Sequence, residues 1–182
     1  MSVILIRHGK TAGNLEGRYI GARTDESLCA AGVQELKARS FPKAARVFIS
    51  PMKRCLETAR LIYPDVEPII VDDFRETDFG LFEGHNYAEL NGRSDYQAWI
   101  DSGGEAPFPG GESRRDMCER CIKAFNRLKL FDRQYDSALI VHGGTIMAIM
   151  SAFARPERSY FDYRVKNGEG FILNGDGSWH CI

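Results

Sequence analysis

The sequence has no excess of charge of either sign. Its 182 residues contain 24 Lys and Arg against 25 Asp and Glu, which gives a formal net charge of −1. A protein dedicated to nucleic acid or to an anionic membrane needs clustered excess base, because each phosphate contact requires a cation. The balance therefore argues against nucleic-acid and membrane partners, while it leaves room for a small basic pocket.

The chain lacks an even number of cysteines: it has five, Cys29, Cys55, Cys118, Cys121 and Cys181. An odd count fits poorly with a fully paired disulfide framework and fits a reducing compartment. Cys118 and Cys121 form one C-x-x-C, but no second pair of ligands stands at zinc-site spacing. We interpret both as core residues on one helix face, and the sequence predicts no metal site and no cofactor.

Long apolar runs are also missing. The opening run, Val3 to Ile6, is too short for the apolar region of a signal peptide, and no basic segment precedes it. No run approaches the roughly 18 apolar residues of a membrane span. We therefore expect a soluble, cytoplasmic protein. The length and the hydrophobic fraction of 43 % predict one domain, residues 1–182, with a substantial core.

Short apolar runs typical of buried strands alternate with stretches of helical period. Strands are predicted at 3–6, 46–49, 69–71 and 138–141, with a closing hairpin at 170–173 and 177–181. Helices are predicted at 27–39, 52–61, 113–128 and 145–153, with one or two short helices within 87–100. This alternation predicts an α/β sheet covered on both faces, whose ligands bind beyond the carboxyl ends of the strands.

Two of the predicted strands end in a histidine followed by glycine. Arg7, His8 and Gly9 close the first strand, and His142 and Gly143 close the fourth. If both strands are parallel neighbours, these side chains meet at one edge of the sheet. The short polar side chains of Thr11 and Asn14 follow the first histidine and are able to donate to an anion.

A third strand end carries cations at the start of a helix. Ser50 and Pro51 are typical of a helix beginning, and Lys53 and Arg54 then lie in its first turn. The helix dipole disfavours cations there, and a bound anion would relieve that cost. We interpret Lys53 as solvent-facing and Arg54 as anion-facing. Two arginines and two histidines at one rim would suit a dianionic phosphate.

Three acids stand close together between residues 74 and 84. Transfer of a phosphoryl group from an alkyl phosphate requires a proton on the leaving oxygen, which a carboxylic acid can supply. The residues by themselves do not distinguish Glu76, Asp78 and Glu83 in this role.

Six blocks, in order along residues 3 to about 173, resemble the signature of the histidine phosphatase superfamily, also called phosphoglycerate mutase-like. They are Leu5-Ile6-Arg7-His8-Gly9-x-Thr11-x-x-Asn14, Gly21-x-x-x-Asp25-x-x-Leu28-x-x-x-Gly32, Ser50-Pro51-x-x-Arg54-x-x-x-Thr58-Ala59, Glu76-x-Asp78-Phe79-Gly80-x-x-Glu83-Gly84, Gly110-Gly111-Glu112-Ser113 and Val141-His142-Gly143-Gly144. The resemblance implies an α/β fold, a three-layer α/β/α sandwich with a mostly parallel central sheet.

The resemblance also implies roles for single residues. His8 would be the nucleophile that becomes a phosphohistidine, and Glu76 would be the proton donor and later the base for water. Asp78 and Glu83 would then be structural. The phosphoryl oxygens would be held by Arg7, Asn14, Arg54, His142 and Gly143. Candidates for contacts to the rest of the substrate are Thr11, Gly21, His85 and Lys10, the last of which departs from the polar residues usual among relatives.

The mutases of this superfamily shield their phosphohistidine with a larger insertion and a C-terminal tail. Here the segment between Gly84 and Gly110 is short, and little follows the last predicted strand. We therefore expect a metal-independent phosphomonoester hydrolase acting on a small molecule, and the chain is similar in look to α-ribazole-5′-phosphate phosphatases. The alternatives are a broad sugar-phosphate or nucleotide phosphatase, a phosphoglycerate mutase, and a non-catalytic phospho-ligand binder.

Overall fold

A mixed sheet forms the centre of the chain in the computed structural model, which describes residues 1–132 and 134–182. Within those residues six strands lie in the order β3-β2-β4-β1-β5-β6. Their bounds are β1 (Ser2–Arg7), β2 (Arg46–Ile49), β3 (Ile69–Ile70), β4 (Ser137–Val141), β5 (Gly170–Asn174) and β6 (Trp179–Cys181). Strands β1 to β4 pair in parallel, and β5 and β6 add an antiparallel edge, so the sheet is mostly parallel as predicted.

Helices connect and cover these strands. Their bounds are α1 (Ala12–Leu15), α2 (Ala30–Lys37), α3 (Lys53–Ile62), α4 (Tyr87–Leu90), α5 (Ser94–Asp101), α6 (Arg114–Leu128) and α7 (Gly143–Phe153). Short 3-10 turns at Asp72–Phe74, Gly80–Phe82, Leu130–Asp132 and Tyr160–Tyr163 complete the described elements. None of the helices in the described part of the chain is long and apolar enough to cross a membrane.

Alternate residues of the central strands enter two separate hydrophobic clusters, one on each face of the sheet. Val3 and Leu5 of β1 pack with the apolar sides of α6 and α7. Ile4 and Ile6 of the same strand pack on the other face with Cys55 and Ala59 of α3, beside which α2 lies. Side chains of a strand alternate between faces, so the continuous apolar runs are those of strands buried on both sides. The result is the expected three-layer sandwich.

The sheet order brings three strand ends together. Strand β4 lies between β1 and β2, with Arg7 opposite Val141 and Ile49 opposite Ile140. All three strands point the same way, so their carboxyl ends form one edge. The residues that follow them are therefore neighbours, although they are far apart in the sequence.

Two helix starts differ from the prediction. Helix α2 begins at Ala30 rather than at residue 27, because the Leu28 amide donates to Glu57 Oε2 at 2.7 Å and the Cys29 sulfur caps the helix. Helix α3 begins at Lys53, with Met52 at its N-cap position, and Ser50 lies before it. By contrast, Ser113 caps α6 as expected, and the segment 87–100 forms two short helices.

The five cysteines are free thiols. Cys121 is fully buried on the apolar face of α6 and Cys118 is partly buried beside it. Cys121 is thus a core residue as predicted, whereas Cys118 packs at the edge of the same cluster.

Candidate active site

His8 lies directly after β1 and is almost completely buried. Its Nδ1 lies 2.7 Å from the carbonyl oxygen of Gly9. A carbonyl only accepts, so Nδ1 carries the proton and Nε2 is left with a free lone pair. Burial and the nearby Arg54 and Arg7 lower the pKa of His8 well below its usual range. The ring is therefore neutral, with a nucleophilic Nε2.

Two guanidinium groups, those of Arg54 and Arg7, lie near this ring. Arg54 is fully buried, and its terminal nitrogens donate to the carbonyls of Thr24 and Gly21 at 2.9 and 3.2 Å. Arg7 donates to the carbonyl of Val165 at 2.9 Å. Among the described residues neither is in ion-pair contact with a carboxylate, although Glu76 lies close enough to act on the charge of Arg7, and the Nε of each is buried without a hydrogen-bond partner. Cations that are shielded from water and have no direct carboxylate partner favour an anion between them.

His142 closes the same pocket from the end of β4. It is fully buried, and its ring meets that of His8 edge to face, with 5.1 Å between the centroids. Its Nε2 lies 2.7 Å from Ser50 Oγ, whereas its Nδ1 has no hydrogen-bond partner among the described residues. Burial is the largest cause, and the charge of Arg54 the next, of a pKa of His142 well below the usual value. This ring is neutral too, with one nitrogen available to a ligand.

Glu76 is the one acid of the three that enters this cluster. Its Oε1 accepts from the Thr77 amide at 2.9 Å, and its Oε2 lies 3.7 Å from His142 Nδ1. Burial raises the pKa of Glu76, although the Thr77 amide and both arginines oppose that shift. A buried carboxyl with a raised pKa retains a proton that it can donate.

The other two acids have structural partners. Asp78 pairs with Arg23 at 2.8 Å and caps the turn at Gly80. Glu83 accepts from the amides of Gly21 and Arg23 at 3.1 and 2.8 Å. Their positions therefore favour Glu76 over Asp78 and Glu83 as the proton donor.

Helix α7 begins at this site. Its first residue, Gly143, follows His142, and the unpaired amides of a helix N-terminus attract anions. A Cβ on Gly144 would lie 3.2 Å from Glu76 Oε1, tighter than a normal contact. Glycine therefore lets the helix start approach the carboxyl.

Thr58 holds two parts of the site together. Its hydroxyl accepts from the Gly9 amide at 3.0 Å and donates to the Arg54 carbonyl at 2.6 Å. A Cβ on Gly9 would meet Leu36 at 2.6 Å, so this glycine serves the close packing of α2 rather than a ligand. The segment after β1 and the first turn of α3 are therefore fixed to each other.

A cavity of about 460 Å³ opens onto Arg7 and Glu76. Gly143 and Gly144 line it on the side of α7. Most of its remaining wall is apolar and includes Phe79, Trp99, Ile100, Phe108, Met117, Met147, Tyr160, Phe161 and Val165, and Arg114 and Arg164 also line it. The cluster of histidines and arginines thus adjoins a larger, mostly apolar cavity.

Several residues of this wall were missed by the sequence analysis. Met147 lies on a helix that the sequence analysis interpreted only as core. Tyr160 and Phe161 lie in the 3-10 turn at Tyr160–Tyr163, which Arg164 follows, and the sequence there has no helical or strand period. Asn167 was also missed: its amide donates to the His8 carbonyl and to Asn14 Oδ1, each at 3.1 Å. Nothing in the local sequence marks these residues.

Four predicted substrate contacts lie away from the cavity wall. Thr11 is fully buried and caps α1 by accepting from the Asn14 amide. Lys10 pairs with Glu35, and His85 lies 3.3 Å from Glu89. The Gly21 amide donates to Glu83, and its carbonyl accepts from Arg54, so Gly21 positions that guanidinium.

Asn14, the predicted phosphate donor, bonds within the loop after β1. Its Oδ1 accepts from the Thr11 amide at 3.2 Å and from Asn167. With its oxygen so occupied, the side-chain NH₂ of Asn14 is the group left to donate.

Within the residues that the structure describes, no group of three or more His, Cys, Asp or Glu side chains is arranged to hold a metal ion. The positive charge of the site comes from guanidinium groups instead.

The sequence profile of the histidine phosphatase superfamily (branch 1) matches residues 3–178. The chain belongs to that superfamily. It is 27 % identical to the adenosylcobalamin/alpha-ribazole phosphatase of Salmonella typhimurium, over 98 % of both proteins. It is 33 % identical to the 2,3-bisphosphoglycerate-dependent phosphoglycerate mutase 2 of Gloeobacter violaceus, over 81 % of this chain and 73 % of the relative.

Among solved structures, the alpha-ribazole phosphatase from Shigella flexneri has the same fold, with a TM-score of 0.83 at 24 % identity. The alignment covers 97 % of this chain and 92 % of that one. The superfamily match and the phosphatase relatives make this member of the histidine phosphatase superfamily a phosphoric monoester hydrolase.

Proposed function

We propose that residues 1–182 form one catalytic domain that hydrolyses phosphomonoesters of a bulky, largely apolar alcohol through a phosphohistidine on His8. One observation carries the proposal: the fully buried Arg54 and the part-buried Arg7 stand beside a histidine whose Nδ1 bonds the Gly9 carbonyl, and neither guanidinium is in ion-pair contact with a carboxylate among the described residues. That arrangement presents a nucleophile at the centre of an anion site. α-Ribazole 5′-phosphate is the leading substrate.

In the first half-reaction, Nε2 of His8 attacks phosphorus as the bond from phosphorus to the ester oxygen breaks. Arg7, Arg54 and His142 hold the phosphoryl oxygens, where charge spreads in the transition state. The amide end of α7 at Gly143 and the Asn14 amide group add donors. The arginines supply the positive charge that a metal supplies elsewhere, so the reaction needs no metal.

The leaving oxygen receives its proton from Glu76. The raised pKa of Glu76 keeps that carboxyl protonated at higher pH than an exposed glutamate. Its Oε1 is bound to Thr77, which leaves Oε2 on the side of His142 to donate. The alcohol then departs as a neutral molecule.

In the second half-reaction, water replaces the alcohol. Glu76, now a carboxylate, takes a proton from water as its oxygen attacks phosphorus, and the bond to His8 breaks. Inorganic phosphate leaves, and Glu76 is protonated again. Ile100 and Phe161, two residues of the cavity wall, are 45 % and 48 % exposed, so solvent reaches the cavity.

The apolar wall of the cavity supports a bulky leaving group. Trp99 and Phe108 stack with 4.7 Å between their ring centroids, and Phe79 meets Phe108 at 5.0 Å. Aromatic walls favour flat apolar guests, since burial of such surface is stabilising. The Salmonella relative is named for alpha-ribazole, and the phosphate ester of that alcohol is therefore the first candidate among substrates with a bulky leaving group.

Phosphoglycerate mutation is the second candidate, because a relative at 33 % identity carries that name. A mutase must return the phosphoryl group to a second small acid before water reaches it. An apolar cavity open to solvent favours hydrolysis over this outcome.

The test is kcat/KM over a panel of phosphomonoesters, because discrimination is a ratio of those values. The panel contains α-ribazole 5′-phosphate, nucleotides, sugar phosphates, fructose bisphosphates, and 3-phosphoglycerate with 2,3-bisphosphoglycerate. We expect α-ribazole 5′-phosphate to lead. A flat profile would indicate a broad phosphatase, and isomerisation faster than phosphate release would indicate a mutase.

A further inference from the structure

We propose that Ser50 is a positioning residue: its hydroxyl, 2.7 Å from Nε2 of His142, fixes the proton of that ring on Nδ1, the nitrogen that faces the phosphoryl site. The assignment of the proton stands on the geometry alone, and its effect on turnover rests on the proposed function.

Both groups close to Nε2 carry a hydrogen that they can donate. Besides the Ser50 hydroxyl, the Cys55 sulfur lies 3.7 Å from Nε2. Burial raises the pKa of the Cys55 thiol to about 12, so it stays protonated. A neutral imidazole has one acceptor nitrogen and one donor nitrogen. A nitrogen surrounded by O–H and S–H groups is best placed as the acceptor.

The surroundings of Nδ1 have the opposite character. The nearest acidic oxygen, Glu76 Oε2, lies 3.7 Å away, and Nδ1 is buried without a hydrogen-bond partner among the described residues. An N–H at this position would donate to a phosphoryl oxygen. A lone pair there would face that anionic oxygen and repel it.

The backbone fixes Ser50 in the required place. Its amide donates to the Ile140 carbonyl at 3.2 Å, two residues before His142, so the ladder between β2 and β4 sets the distance between the two side chains. The Met52 amide donates to Ser50 Oγ at 3.4 Å. That amide occupies one lone pair of Oγ, and the hydroxyl hydrogen remains available to Nε2.

Nitrogen-15 NMR of histidine-labelled protein tests the assignment directly, because protonated and unprotonated ring nitrogens resonate far apart. The chain has only four histidines, and substitution of His85 and His180 leaves two imidazole rings to assign. We expect the wild-type His142 to carry its proton on Nδ1. A proton on Nε2 would overturn the proposal, and this measurement needs no Ser50 variant to fold.

Ser50→Ala should then shift His142 toward a mixture of tautomers and lower kcat about tenfold to a hundredfold, with a smaller change in KM. Ser50→Thr keeps the hydroxyl and should recover most of the loss. Ser137→Ala is the matched control: Ser137 is equally buried, but it begins β4 at the end away from the site. It should change neither the tautomer nor kcat.

The two proposals fail separately. If His142 keeps its Nδ1 proton in Ser50→Ala and kcat is unchanged, Ser50 has no positioning role. A wild type with an Nδ1 proton that hydrolyses no phosphomonoester would instead contradict the proposed function and leave the role of Ser50 in the ring intact.

Discussion

The rings of His8 and His142 meet edge to face, with 5.1 Å between their centroids and 66° between their planes, and both are neutral beside the guanidinium groups of Arg7 and Arg54. Because both rings are neutral, each has one nitrogen with a lone pair and one that carries a proton. His8 can therefore be the nucleophile while His142 donates a hydrogen bond to the phosphoryl group in the same pocket.

His8→Ala should abolish turnover, with kcat lower by about a thousandfold or more, because no other side chain replaces Nε2. Rapid acid quench followed by mass spectrometry should find one added phosphoryl group on the wild type and none on the variant. His180→Ala, a change of the same kind at an exposed position on β6, should behave as wild type. Phosphoenzyme formation in His8→Ala would move the nucleophile elsewhere.

Glu76→Gln should slow alkyl phosphates far more than p-nitrophenyl phosphate, whose leaving group needs little protonation. The acid form of Glu76 is the donor, and its pKa is raised, so turnover of alkyl esters should fall as pH rises through that raised pKa. This alkaline limb should vanish in the variant. Because the pKa of His8 is lowered, attack should persist below pH about 6.5, the usual histidine value. Equal losses on both esters would point to another acid.

Arg54→Met should weaken binding of phosphate and orthovanadate about tenfold or more, since a hydrogen bond to a charged group contributes about 1.5–3 kcal/mol. Thermal denaturation with and without the anion measures this, because a ligand at 100 times its Kd stabilises the wild type by about 2.7 kcal/mol. Lys53→Met is the control, one residue away but exposed. An anion-induced shift in Arg54→Met as large as in the wild type would contradict the assigned role.

Trp99→Leu should raise KM for α-ribazole 5′-phosphate about tenfold and leave glycerol phosphate nearly unchanged, because only the larger alcohol covers this wall. Tyr87→Leu, in the same segment but 66 % exposed and outside the cavity wall, is the matched control. If both substrates lost equally, Trp99 would act on the fold rather than on recognition.

Excess EDTA should leave turnover intact. The phosphoryl charge is met by Arg7, Arg54 and the start of α7, none of which needs a divalent ion. Phosphate release is measured before and after chelation, and after addition of Mg²⁺, Mn²⁺ or Zn²⁺. Loss on chelation with recovery on addition of an ion would contradict the mechanism.

The strand ends were the most predictable part of the site. The apolar runs before His8 and His142 mark buried parallel strands, whose carboxyl ends must share an edge. Arg54 was predicted from the unfavourable position of a cation in the first turn of a helix. Both inferences depend on features of a few neighbouring residues, the apolar runs and the cation in the first turn, which keep the same meaning whatever the chain packs against.

Side chains with two local uses were harder to predict. Thr11 and Asn14 are polar residues beside the nucleophile. The Thr11 side chain caps α1, whereas Asn14 uses its side-chain oxygen as an acceptor and keeps its NH₂ group to donate. Lys10 pairs with Glu35, which lies 25 residues along the chain, and His85 lies beside Glu89 of the helix that follows it. The wall formed by Tyr160 and Phe161 depends on how an irregular segment crosses the sheet edge, for which the sequence holds no periodic signal.

The place of β4 between β1 and β2 has a consequence for the kinetics of folding. His8, Arg54 and His142 come from chain segments separated by tens of residues, and they meet only when β4 has entered the sheet between its two neighbours. Pairings of such long sequence separation form slowly. Recovery of enzymatic activity after dilution from denaturant therefore reports the closing of the central sheet, whereas helix content returns earlier.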